Sequence, residues 1–140
     1  MSLTLTLAVA DLERTELFYR ELLRLPIEPL EPAPGCPPLL CLLQGESVLL
    51  FRQDRALEAS HPALFQNLDR HPRGVGMTIE LEMADLAPTS RYLDRIGYHL
   101  LYELEDAEHQ RRELWLHDPD GYMLILTQEP PAAEKEPEPA

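Results

Sequence analysis

The sequence predicts an α+β fold made of two tandem βαβββ modules, and three observations carry that expectation. Two stretches open on alternation of period two and switch to helical spacing after an aspartate: TLTLAVADLERTELFYRELL from Thr4 and TIELEMADLAPTSRYLDRIG from Thr78. They align at a constant offset of 74, with Thr4 on Thr78, Asp11 on Asp85, Leu12 on Leu86 and Phe18 on Tyr92. A second block matches as well, ESVLLFRQ (46–53) over GYMLILTQ (121–128). Any two αβ units share strand–cap–helix patterning. The common Ala-Asp-Leu, the Thr seven residues before each Asp and the second block go beyond that.

In the first module, Leu5, Leu7 and Val9 alternate with Thr4, Thr6 and Ala8, which is strand periodicity. Asp11 sits where a helix N-cap belongs, with Glu13 in the first turn. Leu12, Phe18, Tyr19, Leu22 and Leu23 then follow at helical spacing. Strands are expected near 26–30, 38–43 and 47–53, with QGES (44–47) turning the last hairpin. The segment 54–73 reads as a polar linker with one helical turn at 61–69.

The second module repeats the order. Ile79, Leu81 and Met83 alternate with Thr78, Glu80 and Glu82, and Asp85 is expected to cap the helix. Leu86, Tyr92, Leu93 and Ile96 form its apolar stripe, Pro88 falls in the tolerant first turn, and Gly97 is placed to end it. Strands follow near 98–104, 111–117 and 122–128, with DPDG (118–121) as the final turn. The division is therefore one domain over 1–128, with module 1 at 1–53, the linker at 54–73 and module 2 at 74–128. A Pro/Glu/Ala tail at 129–140 is expected to be disordered.

Composition narrows the function classes. A chain of 140 residues suffices for one domain with a real core. No apolar run reaches the ~18 residues of a membrane span. The N-terminus enters strand alternation with no basic n-region, so a cytoplasmic protein is expected. Cys36 and Cys41 suit neither a zinc site nor a disulfide framework. The net charge of −13 repels nucleic acid and anionic membrane. It favours cationic partners, although solubility alone also explains it.

On AVADLERTELFYRELLRLP (8–26), the ADL…YLDRIGY segment (84–98) and LHDPDGYMLILTQ (116–128), the chain resembles the vicinal oxygen chelate superfamily: glyoxalase I, bleomycin-resistance and fosfomycin-resistance proteins, and extradiol dioxygenases. The resemblance implies that the two modules curl their sheets into an open β-barrel with a cleft inside and the helices outside. It also implies a metal. In metal-dependent members, inward positions on the first and last strand of each module carry His or Glu, which supply N and O donors to a divalent ion. Carried over one by one, these positions fall on Thr4, Thr78, Leu50 and Ile125. None retains a ligand of the family type, so no metal and no cofactor is expected. A rescue site built from His117 and Glu113 stays open as an alternative.

The inward set on this reading includes Thr4, Thr6, Leu50, Arg52, Thr78, Glu80, Glu82, Trp115 and Ile125, an apolar floor with a few polar groups. Trp115 could stack on a planar ring or a cation, or simply fill the core; Glu80 could meet a cationic ligand, or Arg52. The expected function is metal-free binding of a small cationic or aromatic molecule, as in the drug-sequestering bleomycin-resistance branch, with no catalytic residue. The alternatives are a metal-dependent lyase, isomerase or dioxygenase, and metal-free acid–base catalysis by Glu80 or Glu113. A homodimer is expected from the resemblance.

Overall fold

The computed structural model describes residues 2–128; the acidic tail expected at 129–140 lies outside them. It is α+β, with two four-stranded sheets, each open at both edges. Contacts divide the described residues into two units: 2–77 with 118–122, and 78–117 with 123–128.

The sheet of unit 1 has the order β1 (Thr4–Val9), β4 (Ser47–Gln53), β3 (Leu39–Gln44), β2 (Ile27–Leu30). β1 runs parallel to β4; the remaining pairs are antiparallel. The alternation read in the sequence appears as burial, with Leu7 and Val9 buried while Thr4 and Thr6 are exposed. Leu7 and Leu40 flank Phe51, and Leu42 flanks Leu49, so one face of the sheet is continuous hydrocarbon. Asp11 caps α1 (Leu12–Leu17) as expected: its Oδ1 accepts from the Glu13 N–H at 3.0 Å.

The helix then departs from the expectation. Residues Phe18–Leu22 form a π-helical turn, with the Leu23 N–H donating to the Phe18 carbonyl five residues back at 3.2 Å. Both Phe18 and Tyr19 are buried there, and their rings meet edge to face at 5.1 Å. Tyr19 also packs on Phe51, with centroids 4.9 Å apart.

The segment 54–73 holds more structure than a linker. α2 (Asp54–Ser60) follows β4 directly, and a 3₁₀ turn covers Leu68–Arg70. The helical turn expected at 61–69 is present where the Leu64 and Phe65 N–H groups both close on the His61 carbonyl at 2.9 Å; α2, seven residues earlier, was not expected. The good helix formers Arg55, Ala56, Leu57, Glu58 and Ala59 account for α2. Asp54 in its first turn is buried, for a reason that the candidate site makes plain.

Unit 2 repeats the sheet, in the order β5 (Thr78–Glu82), β8 (Met123–Gln128), β7 (Arg111–His117), β6 (Tyr102–Asp106). Ile79 pairs with Leu124, Leu81 with Leu126, Leu114 with Leu126 and Leu116 with Leu124, all buried. Burying each leucine side chain contributes about 1.5–3 kcal/mol. α3 (Ala87–Ile96) adds buried Leu93 and ends on Gly97 at φ 71, where the Tyr98 N–H closes on the Leu93 carbonyl.

Two details correct the sequence reading here. Asp85 lies one residue outside the cap position, which Leu86 occupies; Asp85 Oδ1 still accepts from the Ala87 N–H at 3.0 Å. β6 begins at Tyr102 rather than near 98, because β7 ends at His117 and the register pairs Tyr102 with Trp115. Residues 98–100 are left with too little of β7 to pair on.

Candidate functional site

Strand register decides which candidate residues share a surface. In unit 1, Thr4 lies beside Val48, Thr6 beside Leu50 and Ala8 beside Arg52. These side chains point away from the buried face of Leu7, Val9, Leu49 and Phe51. β3 extends the surface with Leu43 next to Val48 and Cys41 next to Leu50. Thr4, Thr6, Leu50 and Arg52 therefore share one face of the sheet, the threonines exposed and the other two half-buried.

Unit 2 carries the matching surface. Thr78 lies beside Met123, Glu80 beside Ile125 and Glu82 beside Thr127. β7 adds His117, Trp115 and Glu113 next to the same three β8 residues, and β6 adds Tyr102 beside Trp115. Thr78, Glu80 and Glu82 are exposed and Trp115 is half-buried. Ile125 is only 4% exposed, so it forms floor rather than accessible wall.

The four positions where the resemblance implied metal ligands fall at equivalent places in the two sheets. Thr4 and Leu50 sit on a diagonal of the β1–β4 ladder, and Thr78 and Ile125 on the same diagonal of β5–β8. Two neutral hydroxyls and two hydrocarbon chains do not fit a divalent transition ion, which needs imidazole, thiolate or carboxylate donors. Among the described residues no group of three or more His, Cys, Asp or Glu could hold a metal ion. Glu113 and His117 do share a face of β7, but both Glu113 oxygens are engaged. Oε1 accepts from the Trp115 indole N–H at 3.0 Å, and Oε2 accepts from Arg111 Nη2 at 3.2 Å.

A polar cluster that the sequence reading did not single out lies inside unit 1, where the DPDG turn docks. Asp118 is buried, and its Oδ2 accepts from the Tyr19 hydroxyl at 2.8 Å. Its Oδ1 accepts from the Asp120 and Tyr122 N–H groups at 2.9 and 3.0 Å. Asp120 Oδ1 accepts from the Ala10 N–H at 2.9 Å and faces Arg14 Nη2 and Arg73 Nε, each at 3.4 Å. Arg73 also grips Asp54 with two parallel bonds, Nη1–Oδ1 at 2.7 Å and Nη2–Oδ2 at 2.6 Å. Arg73 and the Tyr122 hydroxyl both donate to the Ala8 carbonyl, at 3.3 and 2.7 Å. Asp120 Oδ2 is buried with no hydrogen-bond partner among the described residues.

Electrostatics follow from this packing. Burial raises the Asp118 carboxyl above the usual carboxylate value, against the lowering effect of the Tyr19 hydroxyl and the two backbone donors. Burial, then the Asp118 charge, pushes the Tyr19 phenol well up. The hydrogen bonds to Asp54 hold Arg73 above even its ordinary value, so it is charged at every accessible pH.

The DPDG motif signalled a turn, but only the docked turn shows that Asp118 belongs with Tyr19, and Asp120 and Asp54 with Arg73. Tyr102 escaped notice for a similar reason: its place beside Trp115 depends on a hairpin register that the sequence left free.

No protein-family model matches the chain, and no curated protein matches it. Solved structures do. A glyoxalase-related enzyme from Fulvimarina pelagi superposes with a TM-score of 0.62 at 20% identity, over 96% of this chain and 94% of its own. A member of the glyoxalase/bleomycin resistance protein/dioxygenase superfamily from Sphaerobacter thermophilus superposes with a TM-score of 0.61 at 17% identity, over 92% and 97%. A lactoylglutathione lyase from Agrobacterium tumefaciens does so with a TM-score of 0.57 at 19% identity, over 90% and 91%. Similarity at this level speaks for architecture, and it agrees with the duplicated strand order found in both units. The chain has the vicinal oxygen chelate fold, that of the glyoxalase/bleomycin-resistance/dioxygenase superfamily.

Proposed function

We propose that this protein binds a small organic molecule without a metal and without chemistry, in the manner of a sequestering protein. One observation carries the reading: the four positions that grip an ion in metal-dependent relatives hold Thr4, Leu50, Thr78 and Ile125. The candidate contact residues are Thr4, Thr6, Leu50 and Arg52 on the sheet of unit 1, and Thr78, Glu80, Glu82 and Trp115, with Ile125 as floor, on the sheet of unit 2. Their apolar and aromatic groups interspersed with carboxylates suit a cationic or aromatic ligand. A drug is one such ligand, so antibiotic resistance is the corresponding cellular role. Acid–base catalysis by Glu113 fits poorly, because both of its oxygens already accept hydrogen bonds within β7. The functional unit is a homodimer on this reading, and light scattering of the purified chain tests that part.

The test of the binding role is a thermal-shift panel of organic cations and aromatics, run with metal analysis of the same preparation. A ligand present at a hundred times its Kd stabilises the folded state by about 2.7 kcal/mol. We expect a cationic aromatic to raise Tm, and EDTA to leave Tm unchanged. A stoichiometric transition metal, or a Tm that falls on chelation, would overturn the metal-free assignment.

A further inference from the structure

We propose that the Trp115–Tyr102 pair of unit 2 is a binding site for an alkylated ammonium group. This deepens the proposed binding role and rests on it. The register of β6 and β7 sets the two rings directly opposite each other, with centroids 5.7 Å apart and planes at 80°. Two aromatic rings meeting almost at a right angle present two electron-rich surfaces to one volume. An alkylated cation uses such a volume better than a metal ion or a primary amine does. It carries no N–H that needs a partner, and its methyl groups shed water at little cost.

The corner is held in place from its own strand. The indole N–H, the ring's only polar atom, donates to Glu113 Oε1, and Arg111 binds the other Glu113 oxygen. Indole orientation is thereby set before a ligand arrives. Tyr102 is 52% exposed, so its ring is reachable. Ile125 lies next to Trp115 and Glu80 next to Ile125, which puts the Glu80 backbone two strands, about 10 Å, from that of Trp115. Glu82 continues the acidic edge along β5. Arg111, the cation on this face of β7, is already paired with Glu113. An anionic ligand would meet carboxylates here, whereas a cation is drawn in.

Trp115 is the single tryptophan of the chain, so its fluorescence reports on this corner. The experiment titrates the full chain with choline and with its neutral isostere 3,3-dimethylbutan-1-ol. Choline is expected to change Trp115 emission saturably, and the isostere to bind about tenfold more weakly. Tyr102→Leu, checked for folding by circular dichroism, is expected to weaken choline about threefold to tenfold. Glu113→Gln, which leaves the indole acceptor but removes the charge, is expected to weaken choline more than the isostere. Equal responses to choline and the isostere would overturn the proposal, as would a folded Tyr102→Leu variant that binds choline unchanged. Thermal shifts by panel ligands that persist in Tyr102→Leu and leave Trp115 emission unmoved would remove this corner and keep the general binding role. A panel with no shift and no quench at all would remove both.

Discussion

Replacing Arg73 with methionine isolates the polar cluster that docks the DPDG turn. The Arg73 side chain is 12% exposed and lies between two buried carboxylates, Asp54 at 9% and Asp120 at 1%. Methionine fills much of the same volume, so the loss is chiefly electrostatic. Removing one partner of a buried pair leaves an uncompensated charge and costs about 3–5 kcal/mol. The Ala8 carbonyl also loses one of its two side-chain donors. Domains of this size have only about 5–15 kcal/mol of stability in total. The corresponding fall in Tm is about 10–20 °C. Arg73→Lys keeps the charge but not the parallel pair of bonds, and is expected to lose less. The decisive comparison is the double variant Arg73→Met/Asp54→Asn, which neutralises the stranded carboxylate and should recover part of the loss. Urea unfolding followed by circular dichroism reads all three. An Arg73→Met variant within about 1 kcal/mol of wild type would refute the reasoning, since surface pairs contribute no more than that. A double variant no more stable than the single one would refute it too.

Other outcomes follow from the same geometry. Tyr19→Phe removes only the hydroxyl that donates to Asp118 and should cost about 1.5–3 kcal/mol in urea unfolding, the range for a bond to a charged acceptor. Asp118 has its folded pKa raised by burial, so its contribution to stability is complete below the unfolded value near 4 and is lost as pH rises through the folded value. Asp118→Asn, which cannot ionise, should therefore gain on wild type as pH climbs through that window; a constant difference between the two across it would contradict the raised value. Gly74 sits at φ 63, and a Cβ there would come within 2.6 Å of Tyr122 Cδ1. Gly74→Ala must displace that ring in addition to adopting a left-handed backbone, and should cost about 1–3 kcal/mol, read as a lower urea midpoint.

Much of this protein was legible from local chemistry. Period-two alternation at Thr4–Val9 and Thr78–Glu82 needs no partner to be recognised, because side chains of a strand must take opposite faces. The Asp11 cap, the Gly97 stop and the QGES turn are equally local, since each satisfies backbone groups within a few residues. Residue type alone also shows that Leu50 and Ile125 offer no donor atom to an ion. Tertiary structure decided what depends on partners distant in sequence. The π-helical turn and α2 each carry a residue, Tyr19 or Asp54, that is buried against a partner elsewhere in the chain. Asp54, Asp118 and Asp120 look like ordinary surface acids until the fold brings Arg73 and Tyr19 to them. The β6 register set Tyr102 against Trp115, a pairing that a slip of one residue would have sent to opposite faces.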